Sequence, residues 1–113
     1  MAKSVGVQNL MLKLNLREAL GRLAETESDY VRLIEQQKFD LGLYQPIVID
    51  PQTPHARDEL YIVAAGTGRF VCADETRSFG PGDVFFVAAG TEHRFVDFSS
   101  DFATWVIFFG TPT

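Results

Sequence analysis

The apolar and polar positions follow two different periods along the chain. In NLREALGRL, residues 15–23, the three leucines recur at helical spacing and fall on one face. Asn15 can cap the first turn, and Glu18 stands three residues later, as in a capping box. This pattern predicts one short helix near the N-terminus, preceded by a short strand at Leu10–Leu14.

After Ser28 the chain changes to short β-branched or aromatic runs, which are separated by turn compositions such as DPQTP and FGPGD. The predicted strands are Tyr30–Glu35, Phe39–Tyr44, Ile47–Ile49, Glu59–Ala65, Phe70–Cys72, Asp83–Val87, His93–Phe98 and Thr104–Phe109. Many short strands at close spacing are typical of a closed barrel or a two-sheet jelly roll. We therefore expect one all-β domain over residues 1–113, with the N-terminal strand and helix at 10–24 and the barrel at about 28–110.

Composition and charge exclude several classes of partner. The formal charge is −5, and no basic cluster is present to neutralise phosphates, which argues against nucleic acid and against an anionic membrane surface. No apolar run reaches the length of a bilayer span, and the N-terminus lacks the apolar core of a signal peptide. The single cysteine, Cys72, cannot form an intrachain disulfide, and we expect it to be a small buried apolar residue. A cytoplasmic protein is the simplest interpretation.

The two histidines of the chain each stand at or just before the start of a predicted strand. His55 precedes Glu59 by four residues, and His93 opens its own strand, with largely apolar neighbours in the same phase. If those faces line one interior, two imidazoles and one carboxylate converge. Such a set suits divalent zinc, iron, manganese, nickel or copper and leaves coordination positions open. Spacing alone leaves a second interpretation open, in which both histidines are ordinary surface or hydrogen-bonded residues.

Two stretches together resemble the signature motifs of the cupin superfamily, namely PHARDELYIVAAGTG and GPGDVFFVAAGTEHRF. The matching positions are His55, Glu59 and Gly66 in the first motif and Gly82, Gly90 and His93 in the second. The departures are Ile47 for a leading glycine, Thr53 for a first histidine, Ala88 for a proline and Asp97 for an asparagine. The resemblance covers about Leu41–Gly110. It implies a double-stranded β-helix, which is a jelly-roll barrel with its metal in the mouth, and frequent homodimerisation through sheet edges.

The usual metal ligands of that family are three histidines and one glutamate. Here the resemblance implies a divalent metal held by His55, Glu59 and His93. Thr53 stands at the place of the missing histidine, and its neutral hydroxyl is a weak ligand. Whether that hydroxyl, a water molecule or a substrate fills the place stays open.

Further side chains are candidates for a pocket around the metal. Strand phase places Tyr61 one like-facing step beyond Glu59, so that its hydroxyl could meet a metal-bound ligand, although a core tyrosine is the plainer alternative. Gln45 could offer its amide to a substrate, and Arg57 could pair with an anionic ligand or be simply a solvated turn residue. Asp97 could support the loop of His93. The apolar wall is expected to consist of Phe95, either Trp105 or Val106, and Phe108.

Three functions stay open at this point. The first is a small metalloenzyme of the dioxygenase or isomerase type that acts on a small organic molecule. The second is a non-catalytic module that binds such a molecule. The third is a metal-free cupin with a structural role. All three stay open because the fold alone does not select a reaction.

Overall fold

The predicted N-terminal helix is present, and it begins at the predicted cap. In the structure, a computed structural model that describes residues 5–6 and 11–110, α1 spans Leu16–Ala24. The Asn15 side chain accepts a hydrogen bond of 2.8 Å from the backbone N–H of Glu18, which satisfies one orphan donor of the first turn. Within the described part of the chain, no helix has the length and hydropathy of a membrane span. The predicted strand at Leu10–Leu14 is wrong for residues 11–14, which form no regular structure, and Leu10 lies outside the described residues.

The rest of the described chain is built mainly of strands, which confirms the all-β class. The strands are β1 Val5–Gly6, β2 Tyr30–Glu35, β3 Phe39–Tyr44, β4 Glu59–Ala65, β5 Gly68–Cys72, β6 Glu75–Phe79, β7 Val84–Val87, β8 His93–Val96 and β9 Ala103–Phe109. They form a six-stranded sheet in the order β1-β2-β3-β9-β4-β7 and a three-stranded sheet in the order β6-β5-β8. The pairing is antiparallel apart from β1 with β2. Strands β2, β3 and β4 have the predicted bounds.

The strands differ from the prediction at two further places. The segment Ile47–Ile49 is a tight turn in which Ile49 N donates to Ile47 O at 2.7 Å, and Val48 has φ +68° in the left-handed region. Its side chain is 84% exposed, so the apolar run does not enter the core. Conversely, β6 was missed, because four of its five residues are exposed at a sheet edge and its sequence, ETRSF, has few apolar residues.

The core is divided between the barrel interior and the outer face of the larger sheet. The interior cluster is mostly aromatic and contains Tyr44, Tyr61, Val63, Phe70, Phe79, Val87, Phe95, Phe102 and Val106. On the outer face, Ala19 and Leu23 of α1 pack with Leu33 and Leu43. Cys72 is partly buried at the edge of the aromatic cluster, where it packs as a small apolar residue. The helix thus covers the outer face of the larger sheet, while the barrel interior has its own cluster of buried residues.

The motif glycines occupy backbone conformations that other residues rarely adopt. Gly66, Gly82 and Gly90 have φ of +86°, +91° and +79°. At Gly66 a Cβ atom would also lie 2.5 Å from the Cα atom of Phe102, which no side chain tolerates. These turns set where the neighbouring strands begin and end, and hence the positions of the two motifs.

Candidate metal centre

Three potential ligands converge inside the barrel from two strands and one loop. Glu59 is the first residue of β4, His93 is the first residue of β8, and His55 lies in the loop before β4. Their ligand atoms all lie within 4.8 Å of one another. The Nε2 atom of His93 is 2.9 Å from Glu59 Oε1, and that of His55 is 3.8 Å from the same oxygen. The structure therefore brings together the three residues that the sequence singled out.

His93 is held in the tautomer that a metal requires. Its Nδ1 atom is 2.8 Å from the carbonyl oxygen of Thr91, which can only accept, so Nδ1 carries the proton in the neutral ring. The lone pair of Nε2 then points into the cluster. A histidine ligand is commonly oriented in this way by a backbone carbonyl behind it.

Glu59 supplies the strongest sign that the cluster fits a cation. Glu59 is 1% exposed, yet neither of its carboxylate oxygens receives a hydrogen bond from any group in the described residues. With His93 neutral, the Nε2 lone pair and Glu59 Oε1 face each other at 2.9 Å. Buried anions and opposed lone pairs are costly unless a proton or a cation lies between them. The donor set, two imidazoles and a carboxylate, is one that divalent transition metals accept.

The two histidines respond to this environment in opposite directions. For His93, burial disfavours the charged ring, but the protonated ring can donate from Nε2 to Glu59 as well as from Nδ1 to the Thr91 carbonyl, and these interactions outweigh burial and raise the pKa. For His55, burial dominates over the attraction of Glu59, and the pKa is lowered. His55 is therefore neutral near pH 7, whereas His93 can take up a proton when no metal is bound.

These opposite shifts predict a stability maximum for the metal-free protein near the ordinary histidine pKa of about 6.5. Stability from His93 is fully present below that pH and is lost as pH rises through its raised folded-state pKa. Stability from His55 is fully present above that pH and is lost as pH falls through its lowered folded-state pKa. Urea unfolding with a chelator, at several pH values between about 5.5 and 8, measures the free energy of unfolding of the metal-free protein as a function of pH. A steady rise in stability from pH 6 to 8 would contradict it, and the same series with saturating zinc is the control, because metal favours both neutral rings.

Tyr61 bridges the cluster and the core. Its hydroxyl donates to the Gln52 side-chain oxygen at 2.8 Å and lies 2.9 Å from His93 Nε2. Its ring packs edge-on against Phe95, with centroids 4.9 Å apart. Burial, followed by the charge of Glu59, raises the pKa of Tyr61, so the hydroxyl keeps its proton. Tyr61 is thus both a core residue and a hydrogen-bond donor at the site.

Gln52 is the residue that the sequence reasoning missed. Its side-chain oxygen lies 3.0 Å from His55 Nε2 and 3.3 Å from His93 Nε2. Thr53, the motif position, is instead exposed and lines a separate cavity of about 510 Å³, to whose wall His93 also contributes. No sequence signal marked Gln52, because the motif register puts the missing ligand one residue later.

A cavity of about 300 Å³ opens beside the cluster. Its lining is mostly apolar, with hydroxyl, amide and imidazole groups at its edge, and consists of Tyr30, Tyr44, Gln52, His55, Tyr61, Val106 and Phe108. Burial raises the pKa of Tyr30 to about 12, which keeps its hydroxyl a donor. The Phe108 ring lies 5.2 Å from that of His55 and forms part of the wall, as expected.

Two of the predicted polar candidates lie elsewhere. Arg57 donates to the buried carboxylate of Asp40 at 3.0 Å, and its guanidinium lies 4.9 Å over the Phe108 ring. It is therefore neither a solvated turn residue nor available for an anionic ligand without giving up that pair. Gln45 follows β3, where its backbone N–H donates to Asp29 O, and it is not part of the lining of the 300 Å³ cavity.

The predicted support and wall residues are also redistributed. Asp97 is exposed and pairs with Arg69 on the surface, so it does not reach the loop of His93. Phe95 lies in the core behind Tyr61 rather than in the cavity wall. Of the pair Trp105 and Val106, strand alternation turns Val106 into the cavity, while Trp105 packs towards α1.

Comparison with known proteins gives a family and a fold. The Cupin domain family matches residues 43–109. Uncharacterized protein SCO3923 of Streptomyces coelicolor is 31% identical over 100 residues, which cover 87% of this chain and 95% of that protein. A Cupin 2 conserved barrel domain protein from Salinispora arenicola superposes with a TM-score of 0.65 at 19% identity, over 90% of each chain. The DMSP lyase DddQ from Ruegeria pomeroyi superposes with a TM-score of 0.61 at 23% identity, over 72% of this chain and 46% of that one. At such identities the structural likeness shows the fold alone, and it confirms the predicted jelly-roll barrel.

Proposed function

Because the chain belongs to the cupin family, we propose that it binds one divalent transition-metal ion through His55, Glu59 and His93. We propose further that this ion and the adjoining 300 Å³ cavity together bind a small organic molecule. The observation that carries the proposal is the buried Glu59 carboxylate, which lacks hydrogen-bond donors among the described residues and faces two imidazoles. Zinc, iron, manganese, nickel and copper all accept this donor set.

The residues around the ion favour a small, mainly apolar ligand with one oxygen-bearing end. A volume of about 300 Å³ is at the low end for ligand cavities. The Tyr30 hydroxyl keeps its proton, since its pKa is raised, and it can donate to a ligand oxygen, whereas the Tyr61 hydroxyl already donates its proton to Gln52. Phe108 and Val106 contribute apolar wall to the same cavity. A bound divalent ion would supply Lewis-acid polarisation of that ligand oxygen.

The choice between catalysis and binding depends on chemistry that the fold does not select. The enzymatic form of our proposal is dioxygenase-type or isomerase-type chemistry at the metal. One protein with this fold, DddQ, is named a DMSP lyase, which is a different reaction. The non-catalytic form is supported by Tyr61, which the raised pKa makes a donor rather than a general base. Turnover and oxygen uptake with a panel of diols, keto acids and sugar phosphates would separate the two.

A metal-free structural role is the second candidate, and one observation favours it. The network from Tyr61 to Gln52 and from His93 to Thr91 is hydrogen-bonded without any ion. In that case a proton on His93 would neutralise Glu59. The homodimer, the cytoplasmic location and the small-molecule partner stay predictions.

The histidine count allows a clean test of metal binding. The chain has two histidines, and both lie in the cluster, so imidazole nitrogen NMR of untagged protein reports on this site without background. We expect zinc to shift the Nε2 signals of both rings and to saturate at one equivalent. In His93→Ala we expect less than about a tenth of an equivalent by elemental analysis, since one of three ligands is gone. Unshifted signals in the wild-type protein would contradict the proposed function.

A further inference from the structure

The place left by the missing motif histidine is filled by a neighbouring side chain. Thr53 is exposed, whereas Gln52 is partly buried and lines both the 300 Å³ cavity and the larger cavity of about 510 Å³. Its oxygen is 3.0 Å from His55 Nε2 and 3.3 Å from His93 Nε2. Four potential metal-ligand atoms therefore lie close together, namely two imidazole nitrogens, a carboxylate oxygen and an amide oxygen.

The orientation of the Gln52 amide follows from its partners. Its nitrogen lies 2.8 Å from Asp50 Oδ2, and its backbone N–H donates to Asp50 Oδ1 at 3.1 Å. An ionised carboxylate can only accept, so the NH₂ group must face Asp50. The carbonyl oxygen is then directed towards the histidines, where it accepts from the Tyr61 hydroxyl.

Asp50 connects this amide to the strand that carries His93. It is 5% exposed, and besides Gln52 it accepts from the Tyr44 hydroxyl and, at 2.8 Å, from the backbone N–H of Phe95. Phe95 lies two residues after His93 on β8. One buried carboxylate with four hydrogen bonds thus sets the distance between the Gln52 oxygen and the His93 ring.

From this geometry, and resting on the function proposed above, we propose that the Gln52 carboxamide oxygen is the fourth protein ligand of the metal. Asp50 is the positioning residue that orients it. A neutral carbonyl oxygen is an accepted ligand of hard and borderline divalent ions. The set becomes two nitrogens, one anionic oxygen and one neutral oxygen, which carries the same charge as three histidines and one glutamate.

The test compares two adjacent residues by cobalt binding. Calorimetry gives the affinity for Co²⁺, and visible absorption reports the ligands around the ion. Gln52→Met keeps the side-chain length without the oxygen, and we expect a loss of about 10- to 100-fold in affinity with changed absorption bands. Thr53→Val is the matched control, and we expect its affinity to stay within about twofold of the wild type and its spectrum to be unchanged. Gln52→His supplies a ligand atom again, so we expect this variant to bind Co²⁺ at least as tightly as Gln52→Met and to show absorption bands shifted by a third nitrogen ligand.

Asp50→Asn tests the positioning role separately. An asparagine offers one NH₂ group where the four partners all need an acceptor, so the Gln52 amide loses its fixed orientation. We expect about a tenfold loss of Co²⁺ affinity in protein that circular dichroism shows to be folded. An unchanged affinity in that folded variant would make Asp50 merely structural.

The outcomes separate this inference from the function on which it rests. If the wild-type protein binds no Co²⁺, Zn²⁺ or Mn²⁺, the metal proposal is wrong and the Gln52 assignment with it. If the wild type binds Co²⁺ but folded Gln52→Met keeps its affinity and spectrum, only the assignment is wrong. If Gln52→Met does not fold, Gln52→His decides, because wild-type absorption bands in that variant would overturn the assignment.

Discussion

At a pH above the raised pKa of His93, replacement of Glu59 by glutamine is expected to stabilise the metal-free protein and to remove most of its response to metal. The wild-type carboxylate is buried and lacks donors in the described part of the chain, while His93 Nε2 lies 2.9 Å away. A glutamine of the same shape removes the charge, and its NH₂ group can donate to that nitrogen. Relief of one buried unsatisfied group is worth about 1–3 kcal/mol, or roughly 4–10 °C in melting temperature for a domain of this size.

With metal present the wild type should gain stability that the variant does not gain, which narrows or reverses the difference between them. The wild type gains about 2.7 kcal/mol at a metal concentration 100 times the dissociation constant. Glu59→Gln loses the anionic ligand of the proposed set, and we expect its affinity to fall by about 100-fold or more. Thermal unfolding with chelator and with saturating zinc measures both effects in one experiment. Glu92→Gln is the matched control, because Glu92 is exposed next to His93 and should change neither value by more than about 1 °C. A less stable metal-free Glu59→Gln would show that the carboxylate is satisfied by a protonated His93.

Replacement of Asp50 by alanine should cause a large loss of stability that metal does not explain. Four hydrogen bonds end on this carboxylate, and they join Tyr44 on β3, Gln52 in the loop and Phe95 on β8. Alanine leaves those donors buried without an acceptor. We expect a cost of about 3–5 kcal/mol, which lowers the melting temperature by roughly 10–20 °C. Urea unfolding in the presence of chelator measures it.

Asp97→Asn is the comparison for that experiment. The sequence suggested that Asp97 supports the loop of His93, but it forms an exposed pair with Arg69 instead. Exposed ion pairs contribute about 0–1 kcal/mol, and asparagine tolerates the φ of +51° at this position. We expect a change within about 1 kcal/mol. A loss at Asp97 equal to that at Asp50 would contradict the assignment of the supporting role to Asp50.

The fold could be predicted largely from local patterns. The helix cap at Asn15 and the alternation in β2, β3 and β4 are properties of neighbouring residues, so their bounds were predicted correctly. Predictions failed where surroundings decide. The apolar Ile47–Ile49 segment forms an exposed turn, and the polar β6 pairs at a sheet edge, because backbone hydrogen bonds to β5 stabilise it without apolar burial.

The candidate metal ligands were found for a different reason. His55 and Glu59 are close in sequence, and His93 is recognisable because its motif glycines require positive φ. The network behind them was not found. Asp50 and Gln52 carry no motif, and their importance comes from contacts with residues 6 to 45 positions away, such as Tyr44, Tyr61 and Phe95.

The sequence by itself determined the strand-rich class, the cupin resemblance, and the two histidines and one glutamate that face inward. Only the tertiary structure decided that Gln52 rather than Thr53 faces the cluster, and that Asp50 rather than Asp97 supports it. The physical reason is that strand phase determines side-chain direction within a strand, but it does not extend through a loop. In the loop between β3 and β4, hydrogen bonds to Tyr44 on β3 and Phe95 on β8 hold Asp50, and Asp50 turns Gln52 towards the histidines.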